Sequence, residues 1–328
     1  MAPHERLERD EGPHIYKIDG NYYLLCAEGG TSTNHSAVIF KADNIRGPYH
    51  RWGRNPMLTQ RGLKDKRTNP VTCAGHADLV QTPEGDWWAV FLGCRPGPGK
   101  FQALGRETFM MPVLWSGDRY PYLTQCEDTV PMVIERPGAV RDDSKASSGN
   151  FSWHDDFATA ALRPEWMSLR GSIADRVSTG KGSLRLQCSP EPSTGKGVPS
   201  YLGRRIQHHK FEAATEVKFK PAGDNERAGL MILKNEGAQY FLAVGKGSVS
   251  LHRIGRKGRD VLASAPLRSN KKAVGLKVVS DGINYTFSFN DGNAWQVLAD
   301  NVDASHVACE RTGGFTGATI GLYAEQTD

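Results

Sequence analysis

No apolar run in this 328-residue chain approaches the ~20 residues that a membrane-spanning helix needs, and no stretch sustains a helical period. A helical membrane protein and a helix bundle are therefore both set aside, and the chain is expected to be soluble, with no membrane partner. An excess of one charge is missing as well. The 41 basic residues nearly balance the 36 acidic ones, leaving a net charge of +5 that creates no strong field. Basic residues do gather in RIGRKGR, Arg253 to Arg259, but no aromatics interleave them as in a single-strand nucleic-acid groove. That run is read as a solvated loop, and no nucleic-acid partner is expected.

Cysteine is sparse and badly spaced for metal or redox work. The six are Cys26, Cys73, Cys94, Cys126, Cys188 and Cys309, with no CxxC pair, which argues against zinc sites and redox motifs. Several lie in apolar runs (YYLLCA, VFLGC, LRLQC) where a reduced, buried thiol is expected. An export signal is not visible either, since MAPHERLERDE is charged where a signal peptide is apolar. Sequons at Asn34, Asn150 and Asn284 would matter only on secretion, so the compartment stays open between cytoplasmic and secreted.

What is present is turn chemistry and alternation. The 36 Gly and 18 Pro supply many turns, and 38% hydrophobic with 9% aromatic residues suffice for real cores. The length suggests two domains of about 150 residues each. The first 125 or so residues hold two similar units. One reads HIYKI, the Asp19-Gly20 turn, NYYLLCA, SAVIFKA and YHRW; the other reads ADLVQT, a turn at Pro83-Glu84-Gly85, DWWAVFLG, RETFMMPVLW and YPYL. Four short strands per unit is the pattern of propeller blades, and about two blades cannot close a ring. Uncovered blade edges lead us to expect self-association or capture of complementing N-terminal blades. The blades are assigned to residues 1–136 and a polar linker, rich in Gly, Ser and charge, to 137–150. From 151 to 328 roughly ten short strands return, joined by turns such as Asn290-Asp291-Gly292, and a two-sheet sandwich is expected.

Longer motifs carry a resemblance. EGPHIYKIDGNYYLLCAEGG, GPYHRWGRNPMLTQR, AGHADLVQTPEGDWWAVFLGCRP and LGRETFMMPVLW are similar to the β-xylosidase branch of glycoside hydrolase family 43. HDDFATAALRPEWMSLRG, RAGLMILKNEGAQYFLAV and GGFTGATIGLYAEQ resemble the concanavalin-type β-sandwich that follows the propeller in that branch. The resemblance implies an all-β chain, part of a five-bladed propeller followed by a lectin-like sandwich. It also implies three carboxylates at the propeller axis: an Asp general base, an Asp that tunes the acid and orients substrate, and a Glu general acid. Only the Glu has a counterpart, Glu11, and the segments for both Asp residues are expected upstream of Met1. The chain thus resembles the C-terminal part of a xylosidase.

Inversion at a sugar carbon needs a protonated acid beside the glycosidic oxygen and a base about 6.5 to 9.5 Å away, leaving room for one water. By local features alone Glu11 is one exposed acid in a run with Glu5, Glu8 and Asp10; the EGPHIYK match makes it the proton donor, pinned by Gly12 and Pro13. His76, in AGHADLV, is by itself a core or surface imidazole; the resemblance carries it to the axis, on the substrate floor or near a central water or calcium ion. No cofactor is required, and a single imidazole is a poor start for calcium, which takes six to eight oxygens. Arg106, in LGRETF, is read locally as an edge arginine and by resemblance as a fork onto sugar hydroxyls, with Glu107 facing the other way. Phe315, between glycines, is a packing residue or, by resemblance, the rim of the pocket. Trp87 and Trp88 are read as structural, one ring turned inward.

Two functions stand after this reading. One is a glycosidase of xylo-oligosaccharides or arabinose-bearing substrates, xylose and arabinofuranose being undecided. The other is a non-catalytic carbohydrate-binding or interaction module derived from such an enzyme.

Overall fold

The computed structural model describes residues 11–63, 67–68, 70–99, 101–136, 138, 149–268, 273–292 and 294–327. Of the expected linker at 137–150, all but 138, 149 and 150 lie outside the described residues, as do Glu5, Glu8 and Asp10. The chain forms two compact units, Met1–Pro96 with Arg106–Val140 and Gly97–Gly105 with Arg141–Asp328. Residues 97–105 thus group with the later unit although they stand between strands of the earlier one. Among the described residues helix is confined to a 3-10 turn at Ala304–Val307 and one α turn, α1 (Cys309–Thr312).

The first unit begins with β1 (Glu11–Ile18), β2 (Asn21–Glu28), β3 (Ser36–Ala42), β4 (His50–Arg51) and β5 (Leu58–Thr59). They form one antiparallel sheet in the order β1-β2-β3-β4, with β5 also on β3. Asp19 and Gly20 both have positive φ, 48° and 84°, and Ile18 pairs with Asn21 across them. This is the two-residue turn whose twist suits a hairpin, and Asp-Gly is the pair that tolerates it. A three-stranded sheet follows, from β6 (Thr72–Gln81), β7 (Trp87–Cys94) and β8 (Arg106–Pro112). The run RETFMMPVLW does not continue as one strand. β8 ends at Pro112, although the next N–H, that of Val113, still reaches the Trp87 carbonyl at 2.8 Å, and β9 (Leu114–Trp115) pairs instead with β10 (Pro121–Tyr122). The core buries Tyr23, Leu25, Ile39, Trp52, Leu58 and Phe91, with Trp52 stacked on Tyr120 at 5.7 Å. Trp88 is buried and Trp87 packs partly buried on the core.

The second unit contains β11 (Val177–Gly180), β12 (Ser183–Leu186), β13 (Tyr201–Arg205), β14 (Lys210–Val217), β15 (Glu226–Asn235) and β16 (Ala238–Val244). It continues with β17 (Ser248–Gly255), β18 (Gly258–Pro266), β19 (Val274–Asp281), β20 (Asn284–Asn290), β21 (Gln296–Asp303) and β22 (Thr319–Gln326). Six strands make one sheet, β13-β22-β15-β16-β17-β18, and four make the other, β14-β19-β20-β21. Side chains of β15 and β16 alternate between two cores. Leu230, Ile232, Tyr240 and Leu242 join Leu276, Val278 and Phe287, while Met231, Leu233, Phe241 and Ala243 join Tyr201 and Tyr323. A strand covered on both faces reads as an unbroken apolar run, which is why AGLMIL and YFLAV show no polar alternation.

RIGRKGR is not a loop, contrary to the sequence reading. Arg253 lies on β17 and Arg259 on β18, with Arg253 paired to Asp260 at 2.9 Å. β18 is an edge strand whose first five residues are all exposed, so it lacks the hydrophobic alternation by which a strand is recognised. Arg259 reaches the fully buried Glu325 through two bonds, 2.6 and 2.8 Å, and Arg227 lies 3.7 Å from the same carboxylate. Beside them His252 is buried, with Nε2 2.8 Å from Ser250 Oγ and its ring against Phe241. Burial first, and then Arg259 and Arg227, push its pKa down to about 4 from the ordinary 6.5.

The unfolded chain therefore takes up a proton that the folded unit refuses. This contribution to stability is complete above pH 6.5 and is lost as pH falls toward about 4. Its slope in that window is at most about 1.4 kcal/mol per pH unit. His252→Gln should flatten the fall in unfolding free energy between pH 7 and pH 5, measured by denaturant titration. An unchanged fall would show that other groups carry it.

Candidate active site

The site is built where the first strand of the chain bends. The β1–β2 register skips between Glu11 and His14, and Gly12 there has φ of +58°. An extra residue in one strand re-aims its neighbours, and this bulge leaves Glu11 exposed at the strand entrance. Gly12 is required for a second reason: a Cβ there would stand 2.4 Å from His76 Nε2. Backbone and imidazole are in direct contact, so Glu11 and His76 are neighbours through Gly12.

His76 reaches that contact because β6 bulges twice. Thr72, Gly75 and Asp78 pair with Cys94, Leu92 and Val90, three residues on β6 against two on β7 each time. The surplus is taken up at two non-glycine residues of positive φ, Cys73 at 55° and His76 at 51°. Left-handed backbone costs a side-chain-bearing residue about 1–2 kcal/mol, and such residues concentrate where function needs a side chain re-aimed. Farther along, β1 is stitched to β6: His14 pairs with Asp78, and Tyr16 Oη accepts the Leu79 N–H at 3.0 Å. These bonds hold β1 against the strand that carries His76.

Arg106 opens β8 and donates through Nη2 to the Thr31 carbonyl at 3.2 Å. Its neighbour Glu107 is taken by Arg95 through two bonds of 2.8 and 2.6 Å, leaving Arg106 to the β2–β3 loop. One functional candidate went unseen in the sequence. His35, on that loop, is buried, its Nδ1 lies 3.1 Å from the Cys73 carbonyl, and its ring meets that of His76 edge-on at 6.5 Å. Burial lowers its pKa, the Cys73 bond opposes this, the charges of Arg106 and His76 lower it further, and Glu11 raises it. Glu11, His76 and Arg106 therefore all act electrostatically on the His35 imidazole. Nothing in GGTSTNHSAV marks His35, since a polar residue entering a strand carries no periodic signal.

Phe315 belongs to the second unit. It is half exposed, on the loop between α1 and β22. That loop is clamped by two cations: Lys234 Nζ donates to the Thr316 carbonyl, and Arg205 donates to Gly317 O at 2.8 Å and Leu104 O at 3.0 Å. No group of three or more His, Cys, Asp or Glu comes together among the described residues. A cavity of about 150 Å³ lined by Gln60, Arg67, Val71, Val130 and Met132 includes none of the four candidates.

With this geometry in hand, the class is an all-β protein in which bulges in two neighbouring strands bring the Glu11–Gly12 backbone against the His76 imidazole. Residues 3–121 match the family model for glycosyl hydrolases family 43, and residues 154–328 match that for the beta xylosidase C-terminal concanavalin A-like domain. The chain belongs to glycoside hydrolase family 43 and carries that C-terminal domain. It is 33% identical over 325 residues to the non-reducing end alpha-L-arabinofuranosidase BoGH43B of Bacteroides ovatus, covering 96% of this chain and 59% of that protein. It is 34% identical over 328 residues to a xylosidase/arabinosidase of Butyrivibrio fibrisolvens, covering 96% and 60%. The solved structure of Bacteroides ovatus Xyloglucan PUL GH43B superposes with a TM-score of 0.85 at 32% identity, over 97% of this chain and 62% of that one. The chain thus spans about three fifths of the length of these relatives.

The contact between Gly12 and His76 can be tested apart from any activity. Gly12→Ala should destabilise the first unit by at least about 1–2 kcal/mol through its left-handed φ, and more through the clash. Adding His76→Ala should recover the clash but not the φ cost. Denaturant unfolding of the four chains of the double-mutant cycle checks this; additive costs would mean that the two residues do not touch.

Proposed function

We propose that this chain supplies the acid side of an inverting glycoside hydrolase site acting on β-1,4-xylosidic or α-L-arabinofuranosidic bonds of xylo-oligosaccharides. The observation that carries the reading is the bulged contact of Glu11–Gly12 with His76, with Arg106 held nearby by the Thr31 carbonyl. Glu11 donates its proton to the glycosidic oxygen as the bond from the anomeric carbon to that oxygen breaks. A water attacks the anomeric carbon from the opposite face and gives its proton to a carboxylate base. Arg106 offers fixed, permanently charged donors to sugar hydroxyls, and His76 forms part of the substrate floor. The names of the relatives, an arabinofuranosidase and a xylosidase/arabinosidase, support both sugars equally.

On this reading the sheets β1–β5 and β6–β8 are two propeller blades, 1–136 is the propeller portion and 151–328 the sandwich. The base and the tuning Asp come from outside these 328 residues, on complementing blades that also cover the open edges. No cofactor is required on this reading.

The test joins the chain to the segment of a family relative that the match leaves uncovered. Glu11→Gln in that fusion should lower kcat on xylobiose, a poor leaving group, by about 10²–10⁴-fold. An aryl xyloside with a good leaving group needs little protonation and should suffer far less. Equal loss on both removes Glu11 from the acid role. Sugar binding with no turnover at all would favour the non-catalytic carbohydrate-binding module.

A further inference from the structure

A buried polar atom without a partner calls for a reason, because leaving it unsatisfied costs about 1–3 kcal/mol. His35 has one. Its side chain is 1% exposed, and Nε2 has no hydrogen-bond partner among the described residues. The Cys73 carbonyl can only accept, so the 3.1 Å contact makes Nδ1 the protonated nitrogen and leaves Nε2 with a bare lone pair. A leucine or phenylalanine would fill this space without that cost, so the imidazole is not there for packing alone.

Its contacts show what it does. The Nδ1–H grips the carbonyl of Cys73, the residue at the first bulge of β6, and the ring lies over Gly75, where a Cβ would come within 2.8 Å of Cδ2. His76, at the second bulge, follows directly. The backbone of His35 is itself anchored, its N–H on Ser32 O at 3.0 Å and its carbonyl on Thr59 Oγ1 at 3.2 Å. The same loop supplies the Thr31 carbonyl that receives Arg106.

We infer that His35 is a positioning residue: through the Cys73 carbonyl and the cleared space at Gly75 it sets the double bulge that presses His76 onto Gly12 beside Glu11. A cationic His35 would face Arg106 and His76, and burial with their charges keeps it neutral, which suits a residue that must orient without adding charge. The functional weight of this role rests on the proposed reading of Glu11 and His76; the positioning itself does not.

Two substitutions separate donor from bulk. Asparagine places an amide N–H near the position of Nδ1, and leucine places none. Long-range ¹H–¹⁵N correlation spectra of the whole chain, labelled at histidine, read each imidazole's tautomer and titration. The wild type should show His35 as the Nδ1–H tautomer; an Nε2–H tautomer overturns the proposal without any variant. In His35→Leu the ring signals of His76 should move, while His35→Asn keeps them close to wild type. Unmoved His76 signals in folded His35→Leu overturn it. If His35→Leu fails to fold, His35→Asn decides, because displaced His76 signals in a folded asparagine variant overturn it equally. In the active fusion, His35→Leu should lower kcat by about 10²-fold, with rescue by asparagine. Displaced His76 with undiminished turnover would leave the positioning standing and remove His76 from the reaction.

Discussion

A glycine backbone pressed against an imidazole organises the first unit. At 2.4 Å from a would-be Cβ, the approach of Gly12 to His76 admits no other residue at position 12 without displacement. For the two to meet, each strand must leave ideal pairing: β1 by one bulge at Gly12, β6 by two, at Cys73 and His76. The cost of those left-handed residues is offset by the surrounding core, since Ala74 between the bulges and Ala77 just past the second are buried with Val71 and Phe91. Small alanines at these positions let a twice-bent strand still pack.

The two units treat buried polarity differently. In the first, the buried imidazole of His35 is held neutral by burial and by the charges of Arg106 and His76. In the second, the buried carboxylate Glu325 is satisfied by the fork of Arg259, and His252 is kept neutral beside that fork. A buried pair of this kind adds little net stability but is costly to break, so it specifies how β18 and β22 come together more than it strengthens the fold. The Phe315 loop follows a third pattern, in which backbone carbonyls rather than carboxylates receive Lys234 and Arg205.

Much of the fold was legible where a local period exists. HIYKI, NYYLLCA and SAVIFKA are β1, β2 and β3, and the Asp19-Gly20 turn closes the hairpin where its chemistry requires. Legibility failed where a strand lacks alternation. β18 is exposed on nearly every residue and reads as a charged loop, and the run ending in VLW hides a break after which the chain pairs β9 with β10 rather than with β7. Glu11, His76 and Arg106 were singled out through family motifs; the structure puts His76 against Gly12 and beside His35, and gives Arg106 to the Thr31 carbonyl. His35 was not recognisable, since its partners, Cys73 and Gly75, lie nearly forty residues away and neither carries a signal of its own.

By itself the sequence determined an all-β chain, the positions of most strands and turns, and the resemblance that places it in family 43. These are properties of short windows, in which side-chain period and turn chemistry act on near neighbours. Only the tertiary structure decided that β6 bulges twice, that Gly12 touches His76, that Arg259 finds Glu325, and that residues 97–105 join the second unit. Each of these is a matter of register and close approach between segments distant in the chain. A bulge breaks a period rather than making one, so no periodic reading announces it.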